Sequence, residues 1–244
     1  MGLHLIGLGM NDEKDITLKG LETIKKCDYV YLESYTSLID SSLEKLEELY
    51  GKEITVANRE MVENEKNEIL EKAKDKEVAL LVKGDIFVAT THMDLVLRAQ
   101  KLGIKVYYIF NASVFGTAGA IGLELYKYGK TTSIPFGNEH VRAPIDIFEK
   151  NYGNGMHTLF LLDLDPANNK FLNISEAAEY LIKHGVDEKL VAIGCSHLGS
   201  RAAEVKTRTL KELTKETFEK YPQSLIIPAK DLHFIEEEAI NRFK

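Results

Sequence analysis

The chain has 244 residues, 44% of them hydrophobic and 28% charged, with 31 Lys and Arg set against 38 Asp and Glu. That apolar content excludes a disordered chain, and the length provides for one large or two small domains with a buried core. The net charge of −7 repels phosphate backbones and argues against a nucleic-acid or anionic-membrane partner.

Apolar runs of strand length alternate with segments of helical period, the βαβα pattern of an α/β protein. Residues 3–8 are predicted as the first strand. A loop follows over 9–14, then a helix from Asp15, which can cap it, with Leu18, Leu21 and Ile24 on one face. The second strand is expected over 28–32. Leu43, Leu46 and Leu49 line a helix that Gly51 can end, and residues 54–56 read as a third strand. Residues 64–75 have helical period and polar faces, and 78–82 is an unbroken apolar run, as in a central parallel strand. The turn Lys83-Gly84-Asp85 leads to a helix around 92–102 ended by Gly103, and 105–110 is the fifth strand.

From Ser113 the texture changes. Gly116, Gly119 and Gly122 form a small-residue helix face on which another backbone can pack closely. Further strands are expected over 131–134, 158–162, 190–195 and 225–227, with helices over 175–184, 210–221 and 234–243. The longest stretches without period, 136–149 and 163–173, read as loops of the kind that carry function. Two α/β domains are therefore expected, residues 1–111 and 112–244.

Cys27 and Cys195 have neither metal nor disulfide spacing, which points to a reducing compartment. The first residues lack a basic n-region and no apolar run approaches ~18 residues, so a soluble, cytoplasmic chain with no membrane span is expected. The sequons at Asn111 and Asn173 carry no weight in such a chain.

Gly7-Leu8-Gly9 after the first strand invites a dinucleotide reading, yet Asp12 stands where the third glycine belongs. Asp12, Glu13 and Asp15 would repel a phosphate there by on the order of 1 kcal/mol per close pair in water. A cation such as the sulfonium of S-adenosylmethionine escapes that repulsion. The common Rossmann methyltransferase has an acid just before its glycine turn where this chain has Leu5-Ile6, so a methyltransferase here belongs to another fold. Glu33 reads as a ribose-binding carboxylate or, more simply, a solvated strand end.

Gly129-Lys130-Thr131 is no P-loop, because Glu124 replaces its first glycine and a helix precedes the strand. Gly194-Cys195-Ser196-His197 resembles a nucleophile elbow, but Leu198 replaces its second glycine. Asp163-Leu164-Asp165 suits a divalent cation in a nucleotide-sugar transferase or, preferably, a polar strand end before Pro166. The 7 histidines lack metal-ligand spacing and are expected at core edges or the surface, and no metal is expected. Gly84-Asp85 lies at the carboxyl end of the most buried strand, where open α/β sheets bind ligands. Asp85 there is either a helix cap or a ligand acceptor.

The combination is specific. Leu5-Ile6-Gly7-Leu8-Gly9, Asp15-Ile16-Thr17-Leu18-Lys19-Gly20-Leu21-Glu22, Cys27-Asp28-Tyr29-Val30-Tyr31-Leu32-Glu33 and Tyr35-Thr36-Ser37 closely resemble the diphthine synthase family. So do Gly84-Asp85, Val88-Ala89-Thr90-Thr91-His92, Asn111-Ala112-Ser113-Val114, Leu125-Tyr126-Lys127-Tyr128-Gly129-Lys130 and Gly155-Met156-His157-Thr158 with the strand after it, and the likeness runs to Leu232-His233-Phe234-Ile235-Glu236.

That resemblance implies two α/β domains of the tetrapyrrole-methylase (class III methyltransferase) type, with S-adenosylmethionine in a cleft between them, in a homodimer. It implies N-methylation of the 3-amino-3-carboxypropyl chain on one histidine of translation elongation factor 2, giving diphthine in diphthamide biosynthesis, with S-adenosylhomocysteine as the other product. Carried over residue by residue, the cofactor would meet Met10, Asp85, Val88, Ser113, Val114, Leu162, Leu198 and Gln223. Ser224 is the rival to Gln223 for the position where the family carries His. No general base emerges, as befits a displacement whose leaving group is already activated. The alternative is a precorrin- or uroporphyrinogen-type tetrapyrrole methyltransferase of the same fold. A metal-dependent nucleotide-sugar transferase is the distant third.

Overall fold

The computed structural model describes residues 1–64 and 67–244, in two compact units, Met1–Val114 and Phe115–Lys244. Glu65 and Lys66, inside the helix expected over 64–75, lie outside the described residues.

The first unit is built on β1 (Gly2–Gly7), β2 (Tyr29–Glu33), β3 (Thr55–Ala57), β4 (Glu77–Val82) and β5 (Val106–Ile109), with α1 (Leu18–Lys26), α2 (Leu43–Tyr50), α3 (Arg59–Glu63), α4 (Glu68–Ala73) and α5 (His92–Lys101). Its strands pair in parallel in the order β3-β2-β4-β1-β5. Alternation along the central strands divides the apolar residues between two cores. Leu3, Leu5, Val78, Leu80 and Val82 enter one with Ile69 and Leu95, while Ile6, Ala79 and Leu81 enter the other with Ile24, Leu46 and Tyr50. A strand covered on both faces reads as one unbroken apolar run, which is what residues 78–82 show.

Two expectations fail in this unit. Helix α1 starts three residues later than expected, because the Thr17 hydroxyl accepts from the Gly20 N–H at 3.0 Å and caps it. Asp15 instead closes a short 3-10 turn, and Leu18, 80% exposed, faces away from the core. Helix α3 was not foreseen; it begins where the Asn58 side chain accepts from the Met61 N–H at 2.9 Å.

The second unit continues from α6 (Val114–Ala118) through β6 (Thr132–Ile134), α7 (Ala143–Gly153), β7 (Thr158–Leu162), the short pair β8 (Leu164–Asp165) and β9 (Lys170–Phe171), and α8 (Ile174–Lys183). Then come β10 (Val191–Ser196), β11 (Glu204–Thr209), α9 (Leu210–Leu213), β12 (Gln223–Ile227) and α10 (Phe234–Asn241). Its sheet runs β11-β10-β12-β7-β6 and is mixed, with only β6 and β7 parallel. Phe160, Leu162, Ala192, Leu225 and Ile227 pack one face against Phe148, Ala177 and Leu181.

More expectations fail here. Helix α7 occupies much of the stretch read as a loop; Pro144 in its first turn obscured the signal while Ile145 and Phe148 anchor it. Strand β11, at the sheet edge, has only Thr207 buried and so shows no apolar alternation. The helix expected over 210–221 stops at Leu213. The small-residue segment is not one helix: a 3-10 turn follows α6, and Gly122 at φ 100° ends it. The closely packed backbone is α10 of the same unit, since a Cβ on Gly122 would lie 2.1 Å from Ala239 Cβ.

A buried polar network fixes α10. Glu236 accepts at one oxygen from Glu124 N–H (3.0 Å) and His157 Nε2 (2.9 Å), and at the other from Lys127 Nζ (2.8 Å) and His233 N–H (2.9 Å). His157, expected with the other histidines at a core edge or the surface, is wholly buried. Its Nδ1 accepts from Ala229 N–H at 2.8 Å, so the proton sits on Nε2. Burial pushes the His157 pKa down and keeps the ring neutral. Burial alone would raise the Glu236 carboxyl, but Lys127 and the two backbone donors outweigh it and hold the value down at about 2.

The folded value of Glu236 lies below its ordinary 4.5, so its contribution is present above that pH and lost as the pH falls toward 2. Glu236→Gln is expected to cost about 3 kcal/mol at neutral pH, read from urea unfolding, and to flatten the acid limb of the stability profile in that window.

Candidate functional site

Strands β1 and β4 are neighbours, so the loops leaving their carboxyl ends meet. Gly9 and Gly84 form a backbone bridge: Gly9 N–H donates to Gly84 O at 3.2 Å and Gly84 N–H to Gly9 O at 2.8 Å. Both take positive φ, 83° and 76°. A side chain on Gly9 would bring its Cβ to 2.6 Å from Asp15 Cβ, whereas the Cβ direction of Gly84 is open, the nearest atom being Ala112 O at 3.8 Å. The second turn therefore offers bare backbone to a ligand.

Three side chains lock these turns. Asp15 accepts from the N–H groups of Met10 (3.1 Å) and Asn11 (2.8 Å). Asp85 accepts at one oxygen from Phe87 N–H (3.3 Å) and at the other from Asn111 N–H (3.0 Å), tying the β4 turn to the end of β5. The Asn111 amide donates to Gly7 O (2.9 Å) and Asp15 O (3.0 Å). Met10 and Asp85 are thus brought together, with Val88 on the same turn, its N–H 3.4 Å from Asp85 O, and Ser113 and Val114 just beyond Asn111. Asp85 does not cap the following helix, which starts at His92 after Thr91.

The acids that argued against phosphate accept hydrogen bonds within the loop or from Ser41. Asp12 accepts from Lys14 N–H at 2.9 Å, and Glu13 accepts from the Ser41 hydroxyl at 2.8 Å, a bond that lowers its pKa. Glu33 is not a solvated strand end. Only 3% exposed, it accepts from the N–H groups of Tyr35 and Thr36, both at 2.6 Å, and from the Thr36 hydroxyl, and so shapes the Tyr35-Thr36-Ser37 segment.

In the second unit Leu162, Leu198 and Gln223 gather at one end of the sheet. Ser224 pairs with Leu161 across β12 and β7, Gln223 pairs with Ser196 of β10, and Leu198 follows that strand. The Gln223 side chain faces the unit's own interior. Its oxygen accepts from Ile174 N–H (3.0 Å), and its amide donates to Phe218 O (3.2 Å) and Lys220 O (3.1 Å). It holds the start of α8. Ser224 follows in the strand and so lies on the opposite face.

Ser196 and His197 do not form a catalytic pair: the hydroxyl donates to Lys220 O at 2.6 Å and Nδ1 to Tyr221 O at 2.7 Å. Burial also raises the Cys195 thiol far above reactivity. Asp163 accepts from Phe136 N–H (3.2 Å) and Leu164 N–H (3.0 Å), and Asp165 from the backbone (3.3 Å) and amide (2.7 Å) of Asn168, so both end a strand and shape a turn.

The model of the tetrapyrrole (corrin/porphyrin) methylases matches residues 2–214. The chain belongs to this family. Diphthine methyl ester synthase of Homo sapiens is 39% identical to this methylase, across 99% of this chain and 94% of that one. The enzyme of the same name from Schizosaccharomyces pombe is 40% identical, across 98% and 93%. A crystal structure of diphthine synthase matches with a TM-score of 0.93 at 36% identity, covering 99% of this chain and 95% of that one. The methylase is accordingly a methyltransferase with the two-sheet α/β fold of its family.

Motif reading offers Asn111 only as a sequon and as part of a resemblance, and Glu33 only as a ribose-binding carboxylate or a solvated strand end, not as residues that build the loops. Their position at the carboxyl ends of β5 and β2 is the signal that marks them. Because Gly9 combines positive φ with contact to Asp15, Gly9→Ala in this methylase should lower stability by about 1–3 kcal/mol in urea titration, with faster amide exchange over residues 8–16.

Proposed function

We propose that this methylase uses S-adenosylmethionine to methylate the amino group of the 3-amino-3-carboxypropyl chain on one histidine of translation elongation factor 2. The observation that carries this reading is relatedness across 99% of the chain to proteins named diphthine methyl ester synthase. Those names extend the proposal to a methyl ester on the carboxylate of the same side chain. The sulfonium cofactor would be held by Met10, Asp85, Val88, Ser113 and Val114 of the first unit and by Leu162, Leu198 and Gln223 of the second.

The residues present fit such a group. Gly84 exposes backbone, Asp85 and Asn111 fix the turn, and the loop acids tolerate a cation where they would repel a diphosphate. When bound, S-adenosylmethionine supplies a methyl group on sulfur whose departure leaves a neutral thioether. The chain's own part is then orientation and exclusion of water, for which fixed backbone and apolar side chains suffice. Each N-methylation forms an N–C bond and, up to the third, releases a proton to solvent; the carboxylate oxygen reacts with no proton to lose.

We further infer a cytoplasmic homodimer. Both cysteines are free and buried, and among the described residues no helix is long and apolar enough to cross a membrane. Exposed Phe115 and Leu125 border an apolar cavity of about 360 Å³ in the second unit, a surface suited to a second copy.

Calorimetry with S-adenosylmethionine in the presence of a chelator is expected to show binding, and its absence would sink the cofactor assignment. Asp85→Ala, which frees both N–H groups it holds, should weaken that binding about tenfold or more. Elongation factor 2 carrying the unmethylated side chain should gain labelled methyl groups on its histidine peptide by mass spectrometry, one of them labile to alkali. Labelling of a tetrapyrrole with the factor untouched would establish the second reading.

A further inference from the structure

Lys83 directly follows β4, the strand buried on both faces, and is itself only 8% exposed. Its Nζ donates to Asn11 O at 2.9 Å, and the Asp40 N–H donates to the same oxygen at 3.0 Å. Three loops of the carboxyl edge therefore converge on one carbonyl: the glycine loop after β1, the segment after β2 that carries Tyr35-Thr36-Ser37, and the turn after β4. The charged groups bearing on the ammonium are Asp15 and Asp12 of the glycine loop and Asp40 of the β2 segment.

The bonded partner is a neutral carbonyl. Burial pushes the Lys83 pKa down to about 8 against the pull of the three carboxylates, so holding the charge here costs folding stability. Packing alone would favour an apolar side chain at the end of this strand. A buried ammonium bonded to the glycine loop, at the edge where ligands approach an open α/β sheet, is a candidate functional group.

We propose that Lys83 is a positioning residue whose ammonium locks the glycine loop onto the segment after β2, so that the cofactor cradle of the first unit is set together with that segment. It acts through Asn11 and touches no reacting atom. With Met in its place, the Asn11 carbonyl keeps only the Asp40 N–H, and Asp12, Asp15 and Asp40 lose the cation that offsets their repulsion. The inference rests on the methyltransferase reading above.

The test is S-adenosylhomocysteine affinity of wild type, Lys83→Met and Lys83→Arg by calorimetry between about pH 7 and 9.5, with thermal midpoints in parallel. Lys83→Met should bind about tenfold more weakly at neutral pH while its midpoint does not fall, a combination that a purely structural lysine would not give. Wild-type affinity should drift toward the Lys83→Met value as the pH rises through about 8, and Lys83→Arg should keep the neutral-pH affinity and lose that drift. Equal affinity of Lys83→Met and wild type, or identical pH profiles of wild type and Lys83→Arg, overturns the proposal. The second comparison decides alone if Lys83→Met does not fold. Wild type that binds no S-adenosylhomocysteine at any pH overturns the methyltransferase reading, a result distinct from binding that is indifferent to residue 83.

Discussion

The backbone bridge between Gly9 and Gly84 is the constraint on which the site of the first unit depends. Two loops that are 75 residues apart in sequence become one surface because β1 and β4 are adjacent and each turn accepts positive φ. Around that bridge, Asp15, Asp85 and Asn111 satisfy the backbone groups that tight turns leave unpaired. Met10, Val88 and Ser113 are set by this framework. Met10 and Val88 are held through their backbone N–H groups, on Asp15 and on Asp85 O, which is why a search for catalytic side chains finds little here. A reaction with an activated leaving group calls on that kind of order more than on an acid or a base.

The acidic loop acquires a different meaning at atomic scale. Asp12, Glu13 and Asp15 are not aimed together at a ligand; each accepts hydrogen bonds within the loop or from Ser41. Their field still disfavours a diphosphate, and Lys83 beneath them supplies a positive charge at Asn11. The second unit uses buried charge otherwise. There Glu236 gathers donors from Glu124, Lys127, His157 and His233, so one carboxylate joins the C-terminal helix to β7 and to the segment that precedes β6. Removing one partner from such a cluster is costly because the rest stay buried and unpaired.

Much of the first unit was legible. Its central parallel strands β1 and β4 are apolar on both faces, its helices alternate with its strands, and Gly51 and Gly103 mark helix ends. The second unit was less so. Its edge strand β11 carries no apolar pattern, Pro144 disguised α7, and the run 116–122 broke into turns where Gly122 meets Ala239. Short-range pattern reports how a segment buries its own side chains. It does not report that a polar strand is held by a neighbour's backbone, or that a glycine is there to admit another helix.

The sequence by itself determined the α/β class, the glycine turns at the carboxyl ends of β1 and β4, and, through whole-length likeness, the methylase family. These follow from residue type and spacing along one chain. Only the tertiary structure decided that Glu33 and His157 are buried and bonded, that Asp15 serves Met10 and Asn11 instead of a helix, that Gln223 turns inward, and that Lys83 reaches the glycine loop. Each depends on partners brought close by strand order, and the free energy of a polar side chain is set by the groups that replace its water.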